Sequence, residues 1–417
     1  MNLIFKNAVI IDPKSPHHNK AVDIQVENGI ITKIGTGLDA AGFENIVLDN
    51  LHVSKGWFDS SVSFGEPGHE DRETIANGLD VAAKSGFTAV AVQPTGIPVA
   101  DNQADIFFLK GKAAHTATEI YPIGALTKGS EGKDIAELFD MKNAGAVAFG
   151  DYQKALQDAN LLKIALQYVQ DFDGLVIAFS QDDKIKGKGV VHEGIVSTRL
   201  GLKGIPALAE ELQIARNLYL LEYTGGKLHI PTISTAKSVA LIREAKQKGL
   251  NVTCSVAVHN LLFTDEVLTD FESNYKVLPP LRPEGERKAL LNGVLDGTID
   301  VITSDHNPLD VEVKVLEFDL AKDGTIGLES AFGALGTLLP LEVIIDKLTA
   351  AGALFGGSEH NITEGATAVF TLFNPAVEWT FSNADILSKS KNSAFINQPM
   401  KGKAYGIYNR GKLILNA

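Results

Sequence analysis

Eight short β-rich runs, each followed by a segment with helical spacing, fill the middle of this chain and constrain its fold more than any other feature. The runs are HVSKGWFDSSVSF, FTAVAVQPT, IYPIGALT, AVAFGD, LVIAFSQDD, LHIPTIST, NVTCSVAVH and VITSDHNP. Between them lie segments such as ETIANGLDVAAKSG, YQKALQDANLLKIALQYV, ALAEELQIARNLYLLEYTGG and AKSVALIREAKQKG. Apolar residues there recur at three- and four-residue spacing, and several segments end in Gly, which stops a helix. Eight strand–helix units in series predict an α/β fold, a parallel (β/α)8 TIM-like barrel over residues 56–364.

The two ends carry no helical pattern. Residues 1–55 alternate apolar and polar positions in LIFKNAVIID and DIQVENGIITKIG, with a turn signal at ENG 27–29. Residues 365–417 do the same in ATAVFTLFNP and AYGIYNRGKLILN, with a second turn at NRG 409–411. Two β-segments flanking a barrel are expected to pair. They predict one small composite β-sandwich domain, built from 1–55 plus 365–417.

Composition narrows the function. The 417 residues are 45% hydrophobic and 21% charged, enough for a sizeable core. The net charge of −13 argues against nucleic-acid binding, which needs a basic patch. A single cysteine excludes a disulfide framework. The start, MNLIFKNAVIIDP, lacks the pattern of a signal peptide, and no uncharged apolar run of about 18 residues appears. The expectation is a soluble, cytoplasmic protein with no membrane contact.

Barrel enzymes carry their chemistry at the C-terminal ends of the strands. There FDSSVSFGEPGHEDRETI, at 58–75, resembles the first-strand motif of dihydroorotases, cyclic amidohydrolases of pyrimidine synthesis. Their pattern is F-I-D-x-H-x-H-x-R-E-P-G. GLKGIPALAEELQIARN, YKVLPPLRPEGER, LDGTIDVITSDHNP, GTIGLES and SKSKNSAF also match, so the resemblance runs nearly end to end. It implies a distorted barrel of the amidohydrolase type with a composite β-sandwich. It also implies opening and closing of a cyclic amide ring, with one or two zinc ions generating hydroxide and polarising the carbonyl.

The same resemblance locates the family's reactive positions, and most have changed. The two His of the first-strand H-x-H are Ser61 and Ser63. The fifth-strand His falls at Phe179 and the sixth-strand His at Thr232; His229, three residues earlier, is no replacement. Two carboxylates persist: Asp151 at the fourth-strand acidic or carbamylated-lysine position, and Asp305 at the eighth-strand ligand and proton shuttle. A Ser hydroxyl substitutes poorly for imidazole and Phe ligates nothing, while two carboxylates hold zinc weakly alone. The family's substrate positions are Gly65 for Arg, Thr95 for Asn, Leu278 for Asn and Leu309 for the second His of D-H-A-P-H. Glycine cannot replace a bidentate guanidinium–carboxylate pair. Scaffold stretches meanwhile persist at Glu66-Pro67-Gly68, Pro279-Pro280-Leu281-Arg282, Gly297-Thr298-Ile299-Asp300 and Gly327-Leu328-Glu329.

Structural roles are expected for the rest. Asp305 and His306, a residual acid/base pair at most, read as a strand cap bonded to a loop. Asp151 reads as a carboxylate meeting a loop amide or lysine rather than a residual metal ligand. His229 and His259, both on predicted strands, read as satisfied core or loop residues. Cys254 reads as buried, and Arg282 as half of a structural ion pair. A nucleophilic Ser61 or Ser63 would need a base and an oxyanion hole, and no strained G-x-S-x-G elbow surrounds either.

The expectation is therefore a catalytically degenerate dihydroorotase homologue, with no working catalytic residue and no zinc or other cofactor. Inactive members of that family hold aspartate carbamoyltransferase in an assembly, so the resemblance implies a non-catalytic, homo- or hetero-oligomeric partner of that enzyme. Two rivals stand beside it. One is an active metal-dependent dihydroorotase, or other cyclic amidohydrolase, with an atypical metal site. The other is a binding protein whose more apolar mouth holds a small ligand without reacting.

Overall fold

The computed structural model describes residues 2–357 and 360–416. All eight barrel strands are present, at Trp57–Val62, Phe87–Val92, Glu119–Gly124, Ala148–Phe149, Val176–Ile177, Leu228–Ile230, Val252–Ala257 and Val301–Thr303. They pair in chain order, each parallel to the next. A parallel bridge from Val62 to His306 closes the sheet, and the Ser63 N–H donates to the His306 carbonyl at 2.7 Å. Parallel strands covered on both faces read as continuous apolar runs. Phe87–Val92 is accordingly buried at every position.

A helix follows each strand: Ile75–Lys84, Gln103–Lys112, Leu138–Ala144, Ala159–Tyr168, Ala207–Thr224, Ala236–Gln247, Glu284–Leu295 and, after the turn-like Ala331–Gly336, Leu341–Thr349. Thr74, Asn102, Asp158 and Thr235 cap four of them by accepting first-turn N–H groups. The helical pattern that starts at Tyr152 in the sequence becomes helix only after Asp158, whose carboxylate stops the preceding turn. His259, expected on a strand, lies in the short helix Val258–Leu262 instead. None of the described helices is long and apolar enough to cross a membrane.

The two ends of the chain meet as expected, in one continuous eight-stranded sheet. His52–Lys55 pairs with Asn2–Ile11 on one side and antiparallel with Phe370–Thr380 on the other. Asn28-Gly29 and Arg410-Gly411 turn the two hairpins with positive φ at both central residues, the geometry that matches strand twist. Leu3, Phe5, Ile24, Val53, Phe370, Leu372 and Tyr408 form a core separate from that of the barrel. Residues 381–398, inside the stretch assigned by sequence to this domain, instead return to the barrel mouth. There Ser388 bonds Glu329, the Lys389 N–H donates to Glu73, and Asn392 bonds Leu309 and Asn307.

A buried ion pair ties the loops behind the sixth and seventh strands to the helix after the fifth. The Arg282 guanidinium donates to Ser234 Oγ (3.1 Å), His192 Nδ1 (2.9 Å) and the Ile205 carbonyl (3.2 Å), and lies 3.6 Å from Glu210. Glu210 accepts further bonds from the Ser234 N–H and the Ser238 hydroxyl. Burial, and then Arg282, push His192 down to about 4, so its ring stays neutral and accepts. Arg282→Met would leave the Glu210 carboxylate buried without its cation. We expect a loss of about 3–5 kcal/mol in urea unfolding, partly recovered by adding Glu210→Gln. An Arg282→Met midpoint equal to the wild type would show that the pair contributes nothing.

Candidate functional site

The barrel mouth is organised around the seam between the first and eighth strands. Ser61 and Ser63 alternate along the first strand and its extension, so both point to the same side. The Ser61 hydroxyl donates to Asp305 Oδ1 at 3.0 Å and accepts from the Gln93 amide at 3.1 Å. Asp305 ends the eighth strand at φ +47°, in the left-handed region that Asp tolerates better than most residues. Tyr152 places its hydroxyl 3.4 Å from Oδ1, and the Gln153 amide lies 3.5 Å from Oδ2. Only 3% of Asp305 is exposed. Burial, aided by the charge of Asp59 and opposed by the Ser61 bond, lifts its carboxyl to about 7. Burial and Asp305 likewise hold the Tyr152 phenol well above its ordinary value.

Ser63 shares a hydrogen bond with the Thr95 hydroxyl at 2.8 Å, so the two hydroxyls satisfy each other. Gly65 sits inside a tight loop: the His69 N–H donates to its carbonyl at 2.7 Å, and its own N–H donates to the Glu73 carbonyl at 3.1 Å. A Cβ at this position would overlap the His69 carbonyl oxygen. The backbone therefore leaves no room for a side chain at residue 65. Phe179 and Leu278 pack in one apolar cluster with Ile205 and Ala209. Thr232, at φ +46°, donates its N–H to Ser255 Oγ, and Leu309 is held through its N–H by Asn392. Ser63, Gly65, Phe179, Thr232, Leu278 and Leu309 are buried, and Thr95 is half-buried.

Asp151 is spent on a loop. Its Oδ1 accepts the N–H groups of Leu126 and Thr127, and its Oδ2 accepts the Thr127 hydroxyl at 2.6 Å. His229 is satisfied by Thr253 and Ser255, and burial pushes it down to about 3. His306 turns away from Ser61: its Nδ1 accepts from Gly327 at 3.2 Å and Leu328 at 3.4 Å, and burial drives it to about 4. No Ser–His pair forms at Ser61. His259 is fully buried with neither ring nitrogen bonded, and Cys254 is buried, its thiol pushed up to about 12.

Among the described residues, no three His, Cys, Asp or Glu side chains come together as a metal-holding group. Ser61, Ser63, Thr232 and Phe179 offer hydroxyls and a phenyl ring without donor atoms, and the carboxylates of Asp151 and Asp305 are already bonded within the protein. That set does not fit zinc, which takes imidazole, thiolate or several converging carboxylates. Burial brings the Asp305 carboxyl to about 7, within the range a general acid or base uses. The residues that shape Asp305 and were missed by sequence reasoning are Gln93, Tyr152 and Gln153. Gln93, in VQPT, and the pair after AVAFGD did carry a signal, since both follow barrel strands at the catalytic end.

A family model described as dihydro-orotase-like matches residues 52–238. A protein named dihydroorotase in Pelotomaculum thermopropionicum is 40% identical over 422 residues, covering 100% of this chain and 99% of its own. The chain belongs to the dihydroorotase family. Another relative so named, in Citrifermentans bemidjiense, is 38% identical with 100% of both chains covered. Among solved structures, the L-hydantoinase of Arthrobacter aurescens superposes with a TM-score of 0.86 at 20% identity, over 99% of this chain and 96% of its own. A D-hydantoinase from Thermus sp. gives 0.83 at 21%, over 99% and 95%. These likenesses establish the fold: the amidohydrolase barrel with its terminal β-domain, as expected from the sequence.

The raised Asp305 pKa makes stability depend on pH. Folded Asp305 keeps a proton up to about pH 7, while the unfolded carboxyl releases it near its ordinary value of 3.8. Stability therefore falls as pH rises through that window and stays reduced above it. Asp305→Asn, uncharged and tolerant of positive φ, should unfold later than the wild type at about pH 8, by roughly 1–3 kcal/mol, and equally at about pH 4. The same difference at both pH values would mean that the carboxylate charge is not the cause.

Proposed function

We propose that this member of the dihydroorotase family no longer hydrolyses a cyclic amide, holds no zinc, and serves as a non-catalytic partner of aspartate carbamoyltransferase in pyrimidine biosynthesis. One observation supports the loss of chemistry most directly. Residues at former metal and substrate positions now bond one another, Ser61 to Asp305 and Ser63 to Thr95, while the Gly65 loop excludes the substrate-clamping arginine. The loss at the metal and the loss at the substrate are separate changes that point the same way. The carbamoyltransferase as partner rests on the family resemblance alone. The net charge of −13 would steer a basic partner surface toward this chain.

A second reading keeps an active amidohydrolase with an atypical metal site near Asp151 and Asp305. It is favoured by the full-length relatives at 40% and 38% identity that are named dihydroorotase, and by the acidity of Asp305. Elemental analysis of protein purified without chelator, with dihydroorotate hydrolysis assayed on the same sample, separates the two. We expect less than one equivalent of zinc and no turnover. A retained equivalent with turnover would establish the second reading. Ser61→His with Ser63→His should remain inactive, because Phe179, Thr232, Gly65 and Leu278 are unchanged; turnover by that double variant would refute the argument. Failure of the carbamoyltransferase to co-purify would remove the partner while leaving the chemical reading in place.

A further inference from the structure

The loop after the eighth strand, residues 309–323, is built inside out. Its short helix Val311–Lys314 is extended by the Val315 N–H, which donates to the Val311 carbonyl at 2.9 Å. A second turn follows, where the Leu320 and Ala321 N–H groups donate to the Glu317 carbonyl. Residues four apart in such turns share a face. The inward pair is Lys314 and Phe318, and the outward pairs are Val311 with Val315 and Leu316 with Leu320. An amphipathic segment ordinarily turns its lysine outward and its valines and leucines inward. Here Lys314 is 1% exposed, whereas Val315 and Leu320 are exposed by 71% and 63%.

This inversion is held from inside. Lys314 Nζ donates to the Lys276 and Lys322 carbonyls at 3.0 and 3.1 Å. Lys276 Nζ donates in turn to the Asp319 and Ala321 carbonyls. Phe318 packs against Val191, Val196 and Leu268. The two lysines are spent on loop carbonyls, which fixes the outward pairs in place. Val311, Val315, Leu316 and Leu320 together present on the order of 400 Å² of mostly apolar surface, a size that marks an interaction site. Its border is acidic. Glu312, Glu317 and Asp319 are exposed, and none of their carboxylates enters a hydrogen bond or ion pair among the described residues. Lys322 is the only exposed cation in this loop.

We propose that the outer face of this loop docks a basic amphipathic helix of a different protein, its apolar stripe on Val311, Val315, Leu316 and Leu320 and its lysines or arginines on Glu312, Glu317 and Asp319. Charge selects the occupant. A second copy would set the same three carboxylates against themselves, and an anionic lipid surface would be repelled. A cationic helix gains on both counts, and the net charge of −13 would steer it in. Its apolar residues, three and four apart, match the spacing of the outward pairs. The surface is the outer face of the loop, so the proposal stands whether or not the mouth is catalytic.

Calorimetric titration of the full chain with a synthetic helix of Leu and Lys, about 14 residues long with the leucines on one face, tests the occupant. Micromolar binding that weakens as salt rises is expected. The matching peptide of Leu and Glu, and vesicles of phosphatidylglycerol, should not bind. Val315→Ser with Leu320→Ser should weaken the Leu–Lys peptide by about tenfold or more. Glu312→Gln with Glu317→Gln and Asp319→Asn should weaken it and flatten its salt dependence. Removing three exposed acids elsewhere, by Glu222→Gln with Glu342→Gln and Asp346→Asn, should change neither. Every substituted position is exposed, so urea unfolding should be the same for all variants. Slowed amide hydrogen exchange on binding should centre on residues 309–323. No binding, equal weakening by the two acid triples, equal binding of the Leu–Glu peptide or the vesicles, or slowed exchange centred elsewhere would each overturn the proposal.

Discussion

A parallel sheet loses its exposed edges only when its first and last strands pair, and in this barrel one buried carboxylate braces that seam beside the Val62–His306 bridge. Asp59 is fully buried on the first strand. Its Oδ1 accepts the Ser61 N–H and the Thr303 hydroxyl, and its Oδ2 accepts the Ser304 N–H at 2.9 Å. Burial raises its pKa, and the bonds from Ser304 and Thr303 act against that rise. These contacts hold the first strand to the end of the eighth. Ser61, Ser63, Asp305 and His306 owe their positions to that seam. The closure also fixes where the helices stand.

The seam holds the scaffold largely through backbone groups and buried carboxylates rather than through the side chains at the barrel mouth. Asp59, the strand backbones and the Arg282–Glu210 pair hold the barrel without drawing on the side chains that line its mouth. Serine at 61 and 63 keeps the strand alternation intact and finds partners in Asp305 and Thr95. Imidazoles converging here without a metal would be buried polar groups short of partners, a costly arrangement. Phe179 contributes in the opposite sense: burying such a side chain is worth about 1.5–3 kcal/mol. Phe179 therefore contributes to folding stability.

Most of the architecture was legible because it follows local periodicity. The eight strands and the helices between them follow from apolar spacing, and the two hairpins follow from Asn28-Gly29 and Arg410-Gly411. The misreadings also have local causes. Residues 152–158 carry helical spacing, but Asp158 caps the helix later. The run toward His259 looks like strand, yet the chain turns into a short helix after Ala257. Residues 381–398 follow a β-rich stretch in sequence but bond Glu73, Glu329 and Asn307 at the barrel mouth.

The sequence by itself determined the fold class and the joining of the two termini, and it named the residues at the barrel mouth. It could do so because strand and helix periods, turn residues and motif spacing are properties of neighbours along the chain. Only the tertiary structure decided that Ser61 bonds Asp305 across 244 residues, that the His69 carbonyl closes the space at Gly65, and that His306 turns its ring toward Gly327. These depend on how the first and eighth strands meet. Such a contact is made only when the barrel closes, and no local pattern in the chain encodes it.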